Sequence, residues 1–308
     1  MARFDCVGLG MNVLDILIRM DEMPTWEHSV NPSRVLVDGG GLAATAIITA
    51  QQFGLRTAFI GTYGNDPMGE IKHNLMTKHG VDLSHDVQMD APENQICVVL
   101  VDENNGERHF QPLQFFWSHF LTHAELDYDF LRSADMLHID GYHPEAALAA
   151  SQTMRAEGRL VMFDAGRTSE KQLSSENDAL SRNCDYLISG SGFLQALTGM
   201  DDLQEAGRKA LDYGPRVVVQ TEGELGCYTF TRDECFHTPA FAVQAVDTTG
   251  AGDVFHGAYL YGIHHGWELH TITRFATAAA ALECTQLGGR VSIPPLSAVV
   301  QFLAAHSE

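Results

Sequence analysis

The sequence lacks apolar stretches long enough to span a bilayer, and it has few basic residues for its size. No run approaches the roughly 18 uninterrupted apolar residues of a transmembrane helix, and the N-terminal MARFDCVGLG has no signal-peptide core. The 308 residues include 19 Lys and Arg against 40 Asp and Glu, for a formal net charge of −21. Such an acidic surface repels phosphate backbones and anionic headgroups, so we expect neither a nucleic acid nor a membrane partner.

Cysteines are few and show no spacing typical of a metal site. The six lie at positions 6, 97, 184, 227, 235 and 284, with no pair at CxxC spacing. We interpret them as reduced thiols of a cytoplasmic protein. Linkers, repeats and low-complexity tracts are also missing. A chain of this length buries enough surface to fold without disulfide bonds or a structural zinc ion. The sequence therefore predicts a single domain, 1–308, with a small appendage.

Short apolar runs alternate with longer amphipathic segments along most of the chain. This order predicts crossover units and an α/β fold, in which a doubly wound, mostly parallel sheet lies between helices. The predicted strands span 4–9, 57–60, 136–139, 160–163, 186–188 and 217–220. The predicted helices span 42–53, 68–79, 145–157, 203–213, 254–265 and 271–285.

Four extended segments, 13–20, 34–37, 95–101 and 108–112, interrupt this alternation. An Asn-Asn-Gly turn joins the last two, which is typical of a hairpin. Because no helix separates the members of each pair, we expect a separate small β-sheet built from about 12–38 and 94–117.

One nine-residue string carries recognisable chemistry. Ala245-Val-Asp-Thr-Thr-Gly-Ala-Gly-Asp253 comes directly before a predicted helix. Small residues at 250–252 let the backbone approach a ligand, and the free N–H groups of a helix N-terminus favour anions. A carboxylate beside such an anion hole can accept a proton from an attacking hydroxyl while the hole stabilises a transferring phosphoryl group. An Asp in a first helical turn is also ordinary capping chemistry, but the whole string is far more specific.

At this string the chain resembles the ribokinase-like (PfkB-type) carbohydrate kinases, whose C-terminal motif reads D-T-x-G-A-G-D. The resemblance extends in order over nearly the whole chain. The other matching segments are Gly10-Met-Asn-Val-Leu-Asp15, Asp38-Gly-Gly-Gly41, Gly61-Thr-Tyr-Gly-Asn-Asp-Pro-Met-Gly69, 98–108, 134–141 and Thr221-Glu-Gly-Glu-Leu-Gly226.

The resemblance implies a sheet between helices, a β-sheet lid over a sugar, and roles for particular residues. Asp253 would be the catalytic base, with Gly250, Ala251 and Gly252 supplying the anion hole. The sugar would contact Asp15, Gly40 and Gly41. ATP would lie near Thr221, Gly223, Gly226, Ala278, Ala281 and Gly288, with Mg²⁺ bridging its phosphates. Asp247 and Thr249 resemble the loop that binds a monovalent cation, often K⁺.

Two departures from the family pattern bear on the substrate and the metal. Thr45 stands where the family often has Asn, so it keeps a hydroxyl donor but lacks the reach of a carboxamide. The segment Ser189-Gly-Ser-Gly-Phe193 stands where many members read N-x-x-E, the pair that helps place Mg²⁺. With Gly190 and Phe193 at those positions, we assign this segment no metal role, and the nucleotide and water would hold the ion.

Other polar residues are weaker candidates for the acceptor pocket. Arg167, just past a predicted strand, would contact an ATP phosphate or a charged substituent, or would pair with a surface carboxylate. Arg108 on the lid hairpin would enter the pocket or remain solvated, and Asn12 and Asn105 are candidate hydroxyl partners. His138, Asp140 and His143 lack a fourth ligand of sensible spacing, so the sequence does not favour a metal site there.

The leading interpretation is an ATP-dependent kinase that phosphorylates a hydroxymethyl group of a small sugar such as ribose, fructose or a related ketose. A nucleoside kinase, a phosphosugar or sulfosugar kinase and a keto-acid sugar kinase remain open within the family. Outside it, the missing N-x-x-E pair leaves open a degenerate nucleotide- or sugar-binding protein. The aromatic run 115–117 near a lid edge predicts a homodimer formed through the lid.

Overall fold

The computed structural model describes residues 3–104, 107–113 and 116–306, and it has the predicted α/β architecture. The strands are β1 (Phe4–Leu9), β2 (Val13–Met20), β3 (Arg34–Gly40), β4 (Thr57–Ile60), β5 (Thr62–Tyr63), β6 (Val87–Gln88), β7 (Ile96–Asp102), β8 (Arg108–Pro112), β9 (Ala134–Ile139), β10 (Leu160–Asp164), β11 (Tyr186–Gly190), β12 (Val217–Thr221), β13 (Cys227–Phe230) and β14 (Cys235–Thr238). The helices are α1 (Leu42–Gln52), α2 (Pro67–Thr77), α3 (Tyr128–Arg132), α4 (Pro144–Ala156), α5 (Ser175–Arg182), α6 (Phe193–Thr198), α7 (Leu203–Ala210), α8 (Ala251–His264), α9 (Leu269–Glu283) and α10 (Leu296–Ala305).

The large sheet has the strand order β14-β13-β12-β11-β10-β9-β1-β4. All pairs are parallel from β12 to β4, and β13 and β14 extend the sheet as an antiparallel hairpin. Between β1 and β9 the winding direction reverses, which opens a crevice at the carboxyl ends of these strands. Gly10 and Asp140, the residues that follow β1 and β9, lie at this crevice.

Two hydrophobic layers hold helices against the sheet. On one face α1, α8 and α9 pack through small and aliphatic residues, and on the other face α4, α6 and α7 do the same. The approach of α1 to α8 is close, because a Cβ on Gly257 would lie 2.4 Å from the Ala46 carbonyl oxygen. This packing fixes the N-terminus of α8 above the crevice.

The four predicted lid segments form one separate sheet, in the order β3-β2-β7-β8. Strand register places Asp15 opposite Asp38, and Val101 opposite Arg108, so these residues share one face. That face packs on a small cluster with Phe116, Tyr142 and Leu287 and therefore faces the crevice. Among the described helices, none is both long and apolar enough to cross a membrane.

Candidate active site

The N-terminus of α8 forms the phosphate end of the crevice. Gly250 precedes the helix in the left-handed region, with φ of 91°, a conformation that favours glycine. The Ala251 N–H donates to the Thr248 carbonyl oxygen at 3.4 Å, while no described carbonyl accepts a hydrogen bond from the Gly252 and Asp253 N–H groups, which can therefore bind an anion. A Cβ on Gly252 would meet no atom within 4 Å, so this turn opens onto free space. Gly250, Ala251 and Gly252 have the geometry of a backbone cradle, and their role as an anion hole stays a prediction.

Asp253 lies in this first turn and is only partly exposed. Burial raises the pKa of its carboxyl well above the usual range, and the carboxylates of Asp164, Asp140 and Asp15 add to this while Arg290 opposes it. A raised pKa suits a group that must accept a proton near neutral pH. Asp253 thus combines the placement and the basicity of a general base.

We call the part of the crevice beside β2 and β3 the acceptor end, because the phosphoryl acceptor is predicted to bind there. Asp15 is buried, and no described residue donates a hydrogen bond to its carboxylate. Burial raises the pKa of Asp15 to about 7, with Asp38 and Asp247 adding to the effect and Arg290 opposing it. The carboxylate packs on Gly40, where a Cβ would lie 2.1 Å from Asp15 Oδ2. Gly41 has φ of 97° and begins α1, as the glycine run predicts.

A buried arginine that sequence reasoning missed supports this acceptor end. Arg290 is 1% exposed, and its Nη2 donates to Asn12 Oδ1 at 2.8 Å and to the Gly40 carbonyl. Its Nε lies 3.4 Å from Thr45 Oγ1, and its own backbone N–H donates to Asp38 Oδ2 at 3.0 Å. Asn12 and Thr45, both predicted to contact substrate, are fully buried and contact this guanidinium.

Two further arginines face the crevice. Arg108 lies on the inner face of the lid, and its electrostatic neighbours are Asp247, Glu283 and Arg167. Arg167 packs over Gly190, where a Cβ would lie 2.7 Å from the Arg167 Cβ. Neither guanidinium pairs with a carboxylate among the described residues. Asn105, also predicted for this pocket, lies outside the described residues.

The residues predicted to contact ATP do not all line the crevice. Thr221 ends β12, and Gly223 follows with φ of 56° and open space around its Cβ position. Ala281 is 9% exposed, whereas Ala278 is fully buried in the core between helices and sheet. Gly226 packs on the β14 backbone, since a Cβ there would lie 2.1 Å from the Thr238 carbonyl oxygen. Neither position therefore has free space around it for a ligand, and the contacts predicted between these residues and ATP stay a prediction.

The predicted monovalent-cation residues lie together in a buried group of oxygens. Asp247 Oδ1 accepts hydrogen bonds from the N–H and Oγ1 of Thr249, at 2.9 and 2.7 Å, and Oδ2 accepts from the Gly288 N–H at 2.9 Å. Glu283 is fully buried nearby, with Oε1 accepting from Ser292 and Oε2 lacking a described partner. Such an oxygen-rich loop can hold a cation, and Gly288, predicted for ATP, belongs to it.

Comparison with known proteins agrees with this geometry. The profile of the pfkB family carbohydrate kinases matches residues 3–296. The chain belongs to the PfkB family. It is 25% identical over 304 residues to a nucleoside kinase of Methanothermobacter thermautotrophicus, covering 98% of this chain and 96% of that protein. It is 27% identical over 294 residues to an ATP-dependent ribose-1-phosphate kinase of Halopiger xanaduensis, covering 94% and 95%.

The solved structures give the same fold. Arabidopsis thaliana ribokinase, complexed with ribose and ATP, matches with a TM-score of 0.80 at 22% identity, covering 98% of this chain and 99% of that one. The protein is thus a PfkB-family sugar or nucleoside kinase with a ribokinase-like fold, an ATP-dependent phosphotransferase acting on an alcohol group. The prediction of family, fold class and enzyme class is confirmed.

The departure from the PfkB pattern at Ser189–Phe193 is built into the core. Gly190 ends β11, and Phe193 is 1% exposed and packs at a ring-centroid distance of 6.3 Å from Phe163. Neither residue offers an oxygen side chain to a metal. The carboxylate of Glu222, on the adjoining loop, lies beside this segment and accepts a hydrogen bond from Ser191 Oγ at 2.7 Å.

The histidines considered with Asp140 do not form a group with it. Asp140 uses both carboxylate oxygens to accept backbone N–H groups, from Met11, Ala43 and Tyr142. His143 Nδ1 accepts from the Leu121 N–H at 3.1 Å. Asp140 therefore holds the loop after β1 and the start of α1 in place.

Proposed function

We propose that the enzyme transfers the γ-phosphoryl group of ATP to a hydroxymethyl group of a small sugar. The observation that carries this proposal is the pairing of a partly exposed carboxylate whose pKa is raised, Asp253, with the open N-terminal turn of α8. Asp253 removes the proton of the attacking hydroxyl, and the amides of Gly250, Ala251 and Gly252 stabilise the charge on the transferring group. Asp15 accepts hydrogen bonds from other hydroxyls of the sugar.

ATP is proposed to lie along Thr221 and Gly223 toward Gly288, with its phosphates at the α8 N-terminus. Mg²⁺ bound to the nucleotide would neutralise charge on the phosphates. The side chain that suits a role in holding this ion, through water, is Glu222 rather than any member of Ser189–Phe193. K⁺ is proposed to bind the oxygen-rich loop of Asp247 and Thr249, where the buried Glu283 adds negative charge.

A second candidate is favoured by Arg108 and Arg167, which form no ion pair with a carboxylate of the described residues. Arg108 lies over the Phe110 ring and is an electrostatic neighbour of Arg167, and guanidinium groups bind phosphate, sulfonate and carboxylate groups well. A phosphosugar, sulfosugar or keto-acid sugar would meet both cations, whereas a neutral sugar would leave them to the ATP phosphates. A nucleoside would have to place its base against Phe110 and Trp117, which are exposed near the lid.

An ATP-consumption screen with Mg²⁺, with and without K⁺, tests the proposal against neutral sugars, anionic sugars and nucleosides. We expect Asp253→Asn to lower kcat by about 10² to 10⁴-fold on the best substrate and to retain ATP binding. The matched control is Asp212→Asn, a surface carboxylate outside the crevice. If Asp253→Asn leaves kcat within a few fold of wild type, the assignment of the base is wrong.

A further inference from the structure

A buried group of metal-ligating side chains lies beneath the catalytic helix. It comprises His138 on β9, Asp164 at the end of β10 and His256 on α8, each no more than 4% exposed. Met136 and Met162 pack on the α8 side of the sheet, and His138 and Asp164, two residues further along the same strands, point to that side as well. One ligand atom from each of the three lies within 4.8 Å of the others.

These side chains are poorly satisfied within the protein. Neither ring nitrogen of His138 makes a hydrogen bond of ordinary geometry, although the Met162 backbone lies close to the ring, and Nδ1 of His256 has no described partner. A buried polar atom left unpaired costs about 1–3 kcal/mol, so a group of them calls for an ion or water. A neutral imidazole has one ring nitrogen with a lone pair, so each histidine can offer one nitrogen ligand to a metal ion.

The spacing suits a small tetrahedral ion. Ligand atoms about 2.0–2.1 Å from a zinc ion are about 3.4 Å from each other in tetrahedral geometry. His256 Nε2 lies 3.4 Å from Asp164 Oδ2, while the other Asp164 oxygen accepts from the Gly166 N–H at 2.9 Å. His138 supplies a third ligand atom within 4.8 Å of the other two, and its ring would have to approach them to complete a tetrahedral site. The fourth position is left for water.

The charge around the group also favours a cation. Asp140 and Asp253 both interact electrostatically with Asp164. A divalent ion bound at Asp164 would reduce the repulsion among these three carboxylates.

We propose that His138, Asp164 and His256 bind one divalent transition-metal ion, with Zn²⁺ the best match to two imidazoles and one carboxylate. Nitrogen ligands disfavour Mg²⁺ and Ca²⁺, so this site is distinct in chemistry from the nucleotide metal. The ion ties β9, β10 and α8 together beneath the N-terminal turn that carries Asp253. The site does not depend on which sugar the enzyme phosphorylates.

Cobalt binding tests the site without using activity. The metal-free protein, with no Mg²⁺ or nucleotide, is titrated with Co²⁺ and followed by visible absorption and by metal content after dialysis. We expect one equivalent bound with the intense bands of a tetrahedral ion, and displacement by Zn²⁺. His138→Gln and His256→Gln should each lose the bands, while the double variant His264→Ala/His265→Ala, which removes an exposed pair, should keep them.

Two results overturn the proposal. One is the absence of saturable binding near one equivalent, which would mean that a water molecule fills the site. The other is binding that the His138 and His256 variants leave intact. If those variants fail to fold, X-ray absorption of the zinc-loaded wild-type protein identifies the ligands of the ion. A shell with two imidazoles and a carboxylate would support the site, whereas a shell with sulfur, or with oxygen alone, would contradict it.

Discussion

The two ends of the crevice differ in the groups that they offer to a ligand, which are backbone N–H groups at one end and side chains at the other. At the phosphate end, Gly250 to Asp253 offer backbone N–H groups from one helical turn. At the acceptor end, the buried side chain of Arg290 donates hydrogen bonds to Asn12 and to the Gly40 carbonyl, and its charge interacts with the carboxylates of Asp15 and Asp38. A backbone-built site needs only small residues and a helix, so it suits one kind of ligand group, which is the phosphate in the function proposed above. A side-chain-built site can change with each substitution, which is where substrate preference within one family can vary.

The substitution Gly252→Ala tests whether phosphate binds the backbone of the first turn of α8, and we expect it to have the largest effect on activity. A methyl group there meets no protein atom within 4 Å, and alanine in a helix is favoured over glycine by about 0.5–1 kcal/mol. We therefore expect unchanged or slightly raised thermal stability. If phosphate binds the cradle, the methyl group occupies its space, and kcat/KM should fall by about 10² to 10³-fold, the size of a lost oxyanion donor.

The neighbouring Ala251→Gly is the control for this experiment. It keeps every backbone N–H group and removes a methyl group, so it should lower stability slightly and change kcat/KM by only a few fold. The melting temperature and initial rates of both variants are measured together. Equal activity of Gly252→Ala and wild type would show that the phosphate does not approach this turn.

Arg290→Met tests the acceptor end and should have a smaller effect on turnover. The hydrogen bonds to Asn12 and Gly40 are lost, so we expect the KM for the acceptor to rise about 10-fold or more while the KM for ATP changes little. Arg290 also opposes the raised pKa of Asp15 and Asp253. Without its charge both pKa values rise, so the acid limb of the pH–rate profile should move to higher pH.

The pH profile separates this role from a merely structural one. Loss of stability alone lowers the amount of active enzyme at every pH, but it does not shift the acid limb. Arg290→Lys, which keeps the charge, should restore most of the wild-type profile while leaving the acceptor KM raised. An unshifted profile in Arg290→Met would contradict the electrostatic role.

The sequence predicted the geometry where the residues concerned are neighbours in the chain. The string from Asp247 to Asp253 predicted a helix start with its glycines and its carboxylate, because these are local features, and the structure has that helix start. Arg290 was missed because its partners Gly40 and Asn12 lie 250 and 278 positions away. No spacing rule connects such residues. The sequence offered one signal for Arg290, which is that this cation follows closely after Gly288, a residue already predicted to contact ATP.

The distinction between local and distant residues also explains which elements of the fold the sequence predicted and which it did not. Runs of strand and helix predicted the parallel sheet and the lid, whereas the hairpin β13–β14 was missed, since polar residues interrupt its short strands CYTF and CFHT. The interpretation of His138 was incomplete for a similar reason. Its sequence neighbours Asp140 and His143 bind other groups, and its spatial partners come from β10 and α8.

The two faces of the lid sheet also differ in the side chains that they carry. Substitutions on its outer face are expected to have the smallest effect on catalysis. The inner face carries Asp15 and Arg108, while the outer face carries aliphatic residues, with Val35 and Val37 57% and 47% exposed. Exposed apolar sheet faces of this kind are typical of subunit contacts, so we propose a homodimer formed through the lid.

Val35→Asp/Val37→Asp should convert that dimer to a monomer in light scattering and change kcat by only a few fold, because neither side chain faces the crevice. Val300→Asp, which adds one charge at an exposed valine on α10, should remain dimeric. A wild-type protein that is monomeric at micromolar concentration would contradict the dimer. If the variant loses activity in step with its dimer, the two faces of the lid are coupled, and the acceptor end then depends on a second copy of the chain.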